Sequence, residues 1–266
     1  MQIRNYSPRT IYTYVSLLAG LSRHYHASPD KISTQHFKDY LLFRIQEQNV
    51  SVSTVNQSIG AWKILQIDIL QRKWEDFVVK RPRNDKRIPV VLSRTEALKL
   101  INVLPNVKHR TLLSLTYATG MRRNEILKLE PGHIDAQRKV VRVLAGKGRK
   151  QRQVPISGQL ISILRSYYKK YRPTTYLFEG FKPGKKYSAS SFTKIVSRAA
   201  KKAGIKKKVS PHVLRHSFAT HMLEKGLNLK TLQLILGHST MKTTSVYLHV
   251  ANMDNINLPD LTSHDQ

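Results

Sequence analysis

The sequence predicts a mainly helical protein with a small antiparallel β-sheet, divided into two domains. Through most of its 266 residues, apolar side chains recur at helical spacing. Residues 140–144 alternate instead and are followed by a similar stretch at 153–156, with a glycine-containing basic loop between them, which is typical of a β-hairpin. Residues 81–89 contain two prolines and several charges without apolar periodicity, which indicates a linker.

The linker separates residues 1–80 from a larger domain, 90–250, and a polar tail, 251–266. The first domain is predicted to be a bundle of helices near 8–25, 34–48 and 53–70. In the second domain a capping box at Ser93 and Glu96 begins a helix. Further helices are predicted near 108–118, 122–129, 158–171, 189–203 and 211–225, and 176–178 as a short third strand.

Charge is the strongest compositional signal. The chain has 46 Lys and Arg against 16 Asp and Glu, a net charge of +30. Residues 1–80 carry only +4 of it, so most lies in the second domain. Such an excess favours a polyanionic partner, with nucleic acid first. The alternative is a solvated basic surface or a ribosome-associated protein. The chain has no cysteine, no apolar run of about 20 residues and no signal-like N-terminus, so we expect a cytoplasmic protein without membrane contact.

The residues most suited to catalysis lie between Ser210 and His249. Ser210 and Pro211 are suited to begin a helix. His212 and Arg215, three residues apart, then project to one face of it. The next helix ends at Leu236-Gly237-His238, and Tyr247 follows nine residues after His238.

These motifs, in this order, resemble those of the tyrosine recombinases, the phage-integrase family. Thr119 to Glu125 resembles the first arginine box of that family, and 146–155 its β-hairpin lysine motif. The resemblance extends from about Tyr6 to about Val250. It implies a SAM-like helical core-DNA-binding domain followed by an α+β catalytic domain.

The resemblance also assigns roles to individual residues. The implied catalytic residues are Arg122, Lys147, His212, Arg215, His238 and Tyr247, with His212 as the favoured proton acceptor for Tyr247. Glu125 and His216 are expected behind them as supporting residues. Arg149, Lys150 and Arg152 are expected to hold DNA phosphates.

These residue types suit phosphodiester chemistry without a metal ion or other cofactor. Two guanidinium groups, from Arg122 and Arg215, can bind the oxygens of one phosphate and stabilise the charge of the transition state. A phenol with a pKa of about 10, such as that of Tyr247, needs help to lose its proton. His212 and His216 could chelate zinc, but no cysteine and no nearby acidic ligand supports that alternative.

The resemblance implies a site-specific recombinase that cuts and rejoins DNA through a 3′-phosphotyrosyl intermediate. Its expected partners are duplex DNA with an inverted-repeat site and three further protomers, identical or from a related recombinase, at the nucleoid. In the family, protomers exchange C-terminal segments. Two alternatives remain open: DNA relaxation like that of a type IB topoisomerase, and DNA binding without catalysis.

Overall fold

The structure is a computed structural model, and it describes residues 6–74, 82, 89–144 and 151–251. The chain divides into two compact units, Met1–Arg87 and Ile88–Gln266. The predicted linker and C-terminal tail lie almost entirely outside the described residues. Among the described helices, none has the length and apolar character needed to cross a membrane.

Within residues 6–74, the first unit has three helices: α1 (Pro8–Tyr25), α2 (Thr34–Gln46) and α3 (Val52–Ile64), the last extended by a π-helical turn at Leu65–Ile69. Each begins where the hydroxyl of a preceding serine accepts a hydrogen bond from a backbone N–H of the first turn. Phe37 and Trp62 stack in the core with ring centroids 4.6 Å apart. The helical prediction for this region is confirmed.

The second unit is built mostly from helices. They are α4 (Arg94–Asn102), α5 (Val107–Thr119), α6 (Arg123–Ile126), α7 (Gly158–Tyr171), α8 (Ala189–Lys202), α9 (Pro211–Glu224), α10 (Leu229–Leu236) and α11 (Met241–Ser245). The capping box of Ser93 and Glu96 is present. Asn228 caps α10 through its side chain, whereas the hydroxyl of Ser210 makes no capping bond to the described part of the chain.

A small antiparallel sheet lies beside these helices, in the order β1 (Ile134–Asp135), β2 (Val140–Val143) and β3 (Arg152–Pro155). The predicted hairpin is β2–β3, with Val143 opposite Arg152. Its loop, 145–150, lies outside the described residues.

The third strand was predicted in the wrong place. It is Ile134–Asp135, and 176–178 is not part of the sheet. Leu177 and Phe178 are buried, as strand residues would be. Their backbone groups, however, pair with irregular chain: the N–H of Leu177 donates to Leu129, and the carbonyl of Phe178 accepts from Tyr187. Because the segment is buried, its residues are as apolar as those of a strand, although its backbone does not pair in the sheet.

Two adjoining clusters of buried side chains hold the second unit together. The larger joins α4, α5, α7 and α8 to the sheet, with Leu112, Leu115 and Phe192 fully buried. The smaller includes Phe218 from α9, Leu236 from α10 and the ring of Tyr247, which lies in a 3-10 turn at Val246–His249. Tyr247 is therefore held in place by packing as well as by its polar contacts.

Gly120 forms a tight junction between α5 and the Arg122 segment. Its φ of +58° is in the left-handed region, and a Cβ there would collide with the Phe218 ring. We expect Gly120→Ala to destabilise the second unit by more than about 1 kcal/mol, lowering its melting temperature by several degrees. Circular dichroism during heating measures this change.

Gly132→Ala is the matched control, because a Cβ at Gly132 would meet nothing within 4 Å and its φ is not left-handed. Equal melting temperatures for the two variants would contradict the packing argument.

Candidate active site

Arg122 is placed by the turn that ends α5. Gly120 closes that helix, Met121 is buried, and Arg122 stands at the N-terminal cap of α6. Its Nη1 donates to Glu125 Oε1 at 3.0 Å, and its backbone N–H donates to Glu125 Oε2 at 2.8 Å. The neighbouring Arg123 instead donates to Thr193, on α8. Two contacts with one carboxylate thus set the direction of the Arg122 side chain.

Arg215 is a buried guanidinium, only 4% exposed. It donates to the carbonyl of Gly120 at 2.6 Å, to that of Leu236 at 2.9 Å and to His238 Nε2 at 2.8 Å. Among the described residues, no carboxylate accepts a hydrogen bond from it. Burial and the charge of Arg122 lower its pKa to about 10, so Arg215 is still a cation at neutral pH.

The carboxyl end of α10 brings three arginines together. The carbonyls of Ile235, Leu236 and Gly237 accept hydrogen bonds from Arg152 Nε at 2.7 Å, Arg215 Nη2 at 2.9 Å and Arg122 Nη2 at 2.8 Å. Carbonyls at a helix end lack partners within the helix and carry the negative end of its dipole. They therefore hold cations that come from three separate parts of the chain.

His238 has a defined tautomer in this arrangement. An arginine can only donate, so Nε2 of His238 accepts the bond from Arg215. Its Nδ1 must then carry the proton, which it donates to the buried Thr244 Oγ1 at 2.9 Å. Burial and the charges of Arg215 and Arg122 lower the pKa of His238 to about 4, so the ring is neutral at pH 7.

The hydroxyl of Tyr247 lies 3.0 Å from His216 Nδ1. The Tyr247 ring is 3% exposed and lies nearly parallel to the His238 ring, at 12°. Burial raises the pKa of Tyr247, although the positive charges of Arg215 and Arg122 oppose that effect. At neutral pH the side chain is therefore a protonated phenol that donates to His216.

His216, rather than His212, is the histidine in contact with the tyrosine. Burial, followed by the charges of His212 and Arg215, lowers the pKa of His216 to about 4, so it is neutral and can accept a proton at pH 7. His212 is exposed, and within the described residues no hydrogen bond joins it to Tyr247. Residue spacing could not distinguish the two, since both lie on α9 close to Arg215.

Arg152 also occupies a position that its sequence neighbours did not indicate. Its guanidinium makes a two-pronged ion pair with Glu125, Nη1 to Oε1 at 3.0 Å and Nη2 to Oε2 at 2.7 Å. The other loop residues predicted to act on DNA, Lys147, Arg149 and Lys150, lie outside the described residues.

The site as a whole suits an anion. Arg122 and Arg152 share the carboxylate of Glu125, and Arg215 contacts no carboxylate among the described residues, so positive charge is left uncompensated beside a phenol and two neutral histidines. The part of the chain that the structure describes contains no group of three or more His, Cys, Asp or Glu residues that could hold a metal ion. A phosphate diester would offset part of this positive charge.

Residues 91–253 match the phage integrase family, and residues 1–76 match the N-terminal SAM-like domain of phage integrases. The chain belongs to the phage integrase family. It is a tyrosine-type site-specific recombinase, an enzyme of DNA recombination and integration. The family, fold class and enzyme class predicted from the sequence are confirmed.

Individual relatives agree with this membership. The chain is 34% identical over 252 residues to a Sinorhizobium fredii protein, y4qK, whose name assigns it provisionally to the integrases and recombinases; the match covers 94% of this chain and 82% of that one. It is 41% identical over 182 residues to the tyrosine recombinase XerD of Staphylococcus aureus, covering 64% and 61% of the two chains.

Solved structures of recombinases share the fold. XerA recombinase is 30% identical, with a TM-score of 0.58 over 94% of this chain and 90% of its own. The integrase of transposon Tn1549, solved in complex with transposon right end DNA, has a TM-score of 0.76 at 21% identity, covering 96% and 94% of the two chains.

Glu125 should make the stability of the second unit depend on pH. Burial raises its pKa, but the hydrogen bonds and charge of Arg152, with those of Arg122, outweigh burial and bring the pKa from 4.5 to about 2. A carboxylate whose pKa is lowered by folding stabilises the fold above pH 4.5 and loses that contribution as the pH falls towards 2. We therefore expect the stability gap between wild type and Glu125→Gln to narrow by about 1 kcal/mol between pH 6 and pH 3.5.

Urea denaturation followed by circular dichroism at the two pH values measures this gap. Glu130→Gln, at an exposed position four residues beyond the end of α6, is the matched control and should show no comparable narrowing. A gap for Glu125→Gln that stayed constant with pH would contradict the assigned ion pairs.

Proposed function

We propose that this recombinase works by attack of the Tyr247 hydroxyl oxygen on a DNA phosphate. The new bond joins that oxygen to phosphorus, giving a 3′-phosphotyrosyl link, and the bond to the 5′ oxygen of the next nucleotide breaks. The 5′-hydroxyl of a partner strand then attacks the link and releases Tyr247. The covalent link preserves the energy of the original ester, so the cycle needs no ATP. The two arginines would supply the charge stabilisation that a metal ion often gives.

The observation that carries this proposal is the position of one buried phenol hydroxyl inside a cluster of unbalanced cations. Arg215 is almost fully buried, yet its hydrogen bonds go to two carbonyls and a neutral histidine. An unpaired buried charge is costly, and an incoming phosphate would remove that cost. Binding energy for the substrate is thus built into the site.

Each neighbouring side chain has a role in the proposed reaction. Arg122 and Arg215 bind the non-bridging oxygens and offset the charge of the pentacovalent transition state. His238 contacts the same phosphate. By resemblance, Lys147 gives a proton to the departing 5′ oxygen, and Arg149 and Lys150 hold the flanking DNA backbone.

The proton of Tyr247 needs an acceptor, because the pKa of this buried phenol is raised. His216 already accepts a hydrogen bond from the hydroxyl and is neutral at pH 7. We assign it the proton in the first step. His212, the acceptor favoured from the sequence, stays a candidate contact to DNA at the exposed edge of the same helix.

We propose duplex DNA with an inverted-repeat site as the substrate and a tetramer of protomers as the active assembly, at the nucleoid. The solved relatives give partial support. XerH is described as a site-specific recombinase bound to a palindromic difH substrate, and lambda integrase as a dimer bound to a core site. An inverted repeat would present the same sequence to two protomers.

Covalent capture tests the chemistry and reveals the site together. The protein is mixed with fragmented DNA from the organism that encodes it, denatured, and the attached DNA is sequenced. We expect wild-type protein to yield adducts at one short inverted repeat and Tyr247→Phe, which keeps the buried ring but lacks the nucleophile, to yield none. Light scattering on that repeat should give the mass of four protomers on two DNA sites.

The other outcomes separate the competing functions. Adducts scattered over many sequences, together with relaxation of supercoiled plasmid, would favour a type IB topoisomerase. Salt-sensitive DNA binding without any adduct would favour a non-catalytic DNA-binding protein. Adducts that persist in Tyr247→Phe would overturn the assignment of the nucleophile. Tyr117→Phe is the matched control, because that hydroxyl bonds His221 instead.

The proton acceptor is tested by comparing His216→Gln with His212→Gln. We expect His216→Gln to slow covalent attachment at saturating DNA by about a hundredfold, the usual contribution of a positioned base. The exposed His212 should contribute less to this step. Single-turnover experiments measure the rate of covalent attachment to the captured site for each variant. A larger loss of rate in His212→Gln than in His216→Gln would restore His212 as the proton acceptor.

A further inference from the structure

Arg152 is anchored by three hydrogen bonds inside the protein. As the first residue of β3, it sends its side chain into the site, where only 13% of it is exposed. Nη1 and Nη2 contact the two oxygens of Glu125, and Nε contacts the carbonyl of Ile235. The Nη1–Nη2 edge of the guanidinium, which could otherwise form a bidentate contact with a phosphate, is therefore occupied by a carboxylate.

Gly237 provides the space for this side chain. A Cβ at Gly237 would lie 2.9 Å from Arg152 Nη1, 3.0 Å from Cζ and 3.1 Å from Cδ. The guanidinium thus lies directly against the backbone after α10. Close packing of this kind fixes a side chain more firmly than an exposed ion pair would.

Glu125 connects Arg152 to Arg122. The Oε1 atom that accepts from Arg152 also accepts from Arg122 Nη1 at 3.0 Å, and the Oε2 atom also accepts from the Arg122 backbone N–H at 2.8 Å. Without Arg152, Arg122 would be the one remaining ionic partner of the carboxylate among the described residues. Glu125 would then no longer be held in place by a second arginine, and it could not fix the orientation of the Arg122 side chain.

We propose that Arg152 is a positioning residue that acts through Glu125 on Arg122, and that it does not bind DNA phosphate. This inference rests on the proposed function, in which Arg122 binds the reacting phosphate. The positioning role replaces the phosphate contact that was expected of Arg152 from its place beside a basic loop. Its removal would misdirect Arg122 by a fraction of an ångström, an error that slows phosphoryl transfer while leaving DNA binding intact.

Two measurements on Arg152→Gln separate the two roles. The first is the dependence of DNA affinity on salt, using any duplex. Losing a phosphate contact lowers the slope of log affinity against log salt by about 1, whereas losing a positioning residue leaves it unchanged. The second is the rate of covalent attachment at saturating captured DNA, which we expect to fall about ten- to a hundredfold.

Three further variants sharpen the result. Arg152→Lys keeps the charge but cannot pair with both carboxylate oxygens, so it should lose a similar factor in rate and remains informative if Arg152→Gln unfolds. The double variant Glu125→Gln with Arg152→Gln should be no slower than the slower single variant, since both act through one contact. Arg142→Gln, an exposed arginine of the same hairpin, should keep its rate of attachment at saturating DNA.

The proposal is overturned if Arg152→Gln lowers the salt slope by about 1 and keeps its rate of attachment at saturating DNA. It is also overturned if the losses of the two single variants multiply in the double variant. The salt measurement needs no catalysis, so it remains decisive for Arg152 even if wild-type protein gives no adduct. Absence of that adduct would count against the proposed function instead.

Discussion

The carboxyl end of α10 is the point on which the site depends. Its last carbonyls, those of Ile235, Leu236 and Gly237, each accept a hydrogen bond from a different arginine. These arginines belong to a helix cap, a strand and a helix interior that are far apart in sequence. Without a common acceptor at the negative end of a helix dipole, three such cations would repel one another and disperse. One short helix therefore gathers the charge that the chemistry requires.

Because three arginines cluster at this point, the site has more positive than negative charge. Glu125 neutralises one guanidinium, while the buried Arg215 must rely on neutral acceptors. Burial lowers the pKa of His216 and of His238, the neighbouring positive charges lower both further, and the charges of Arg215 and Arg122 oppose the effect of burial on Tyr247. His216 and His238 are thus held neutral and Tyr247 protonated, which are the states from which the proposed reaction starts.

The sequence predicts which motif residues meet in the site better than it predicts the contacts that support them. Arg122, Arg215, His238 and Tyr247 are recognisable because each lies in a local motif, next to a glycine or at a helix boundary, and the fold brings all four together. Arg152 is different, because its partners lie 27 and 83 residues away and its neighbours in the chain are surface cations. Contacts at such separations depend on packing that no local pattern records.

The internal hydrogen bonds of the site also define what would change when DNA binds in the proposed reaction. His238 presents Nε2 as an acceptor to Arg215, so in this tautomer that atom cannot donate to a phosphate oxygen. A phosphate placed between Arg122 and Arg215 compensates the charges that depress the pKa of His238 and offers Arg215 a stronger acceptor. Both effects favour a proton on Nε2, while Thr244 keeps the ring oriented through Nδ1. In the proposed reaction, substrate binding would thereby convert His238 from an acceptor for Arg215 into a donor for the phosphate.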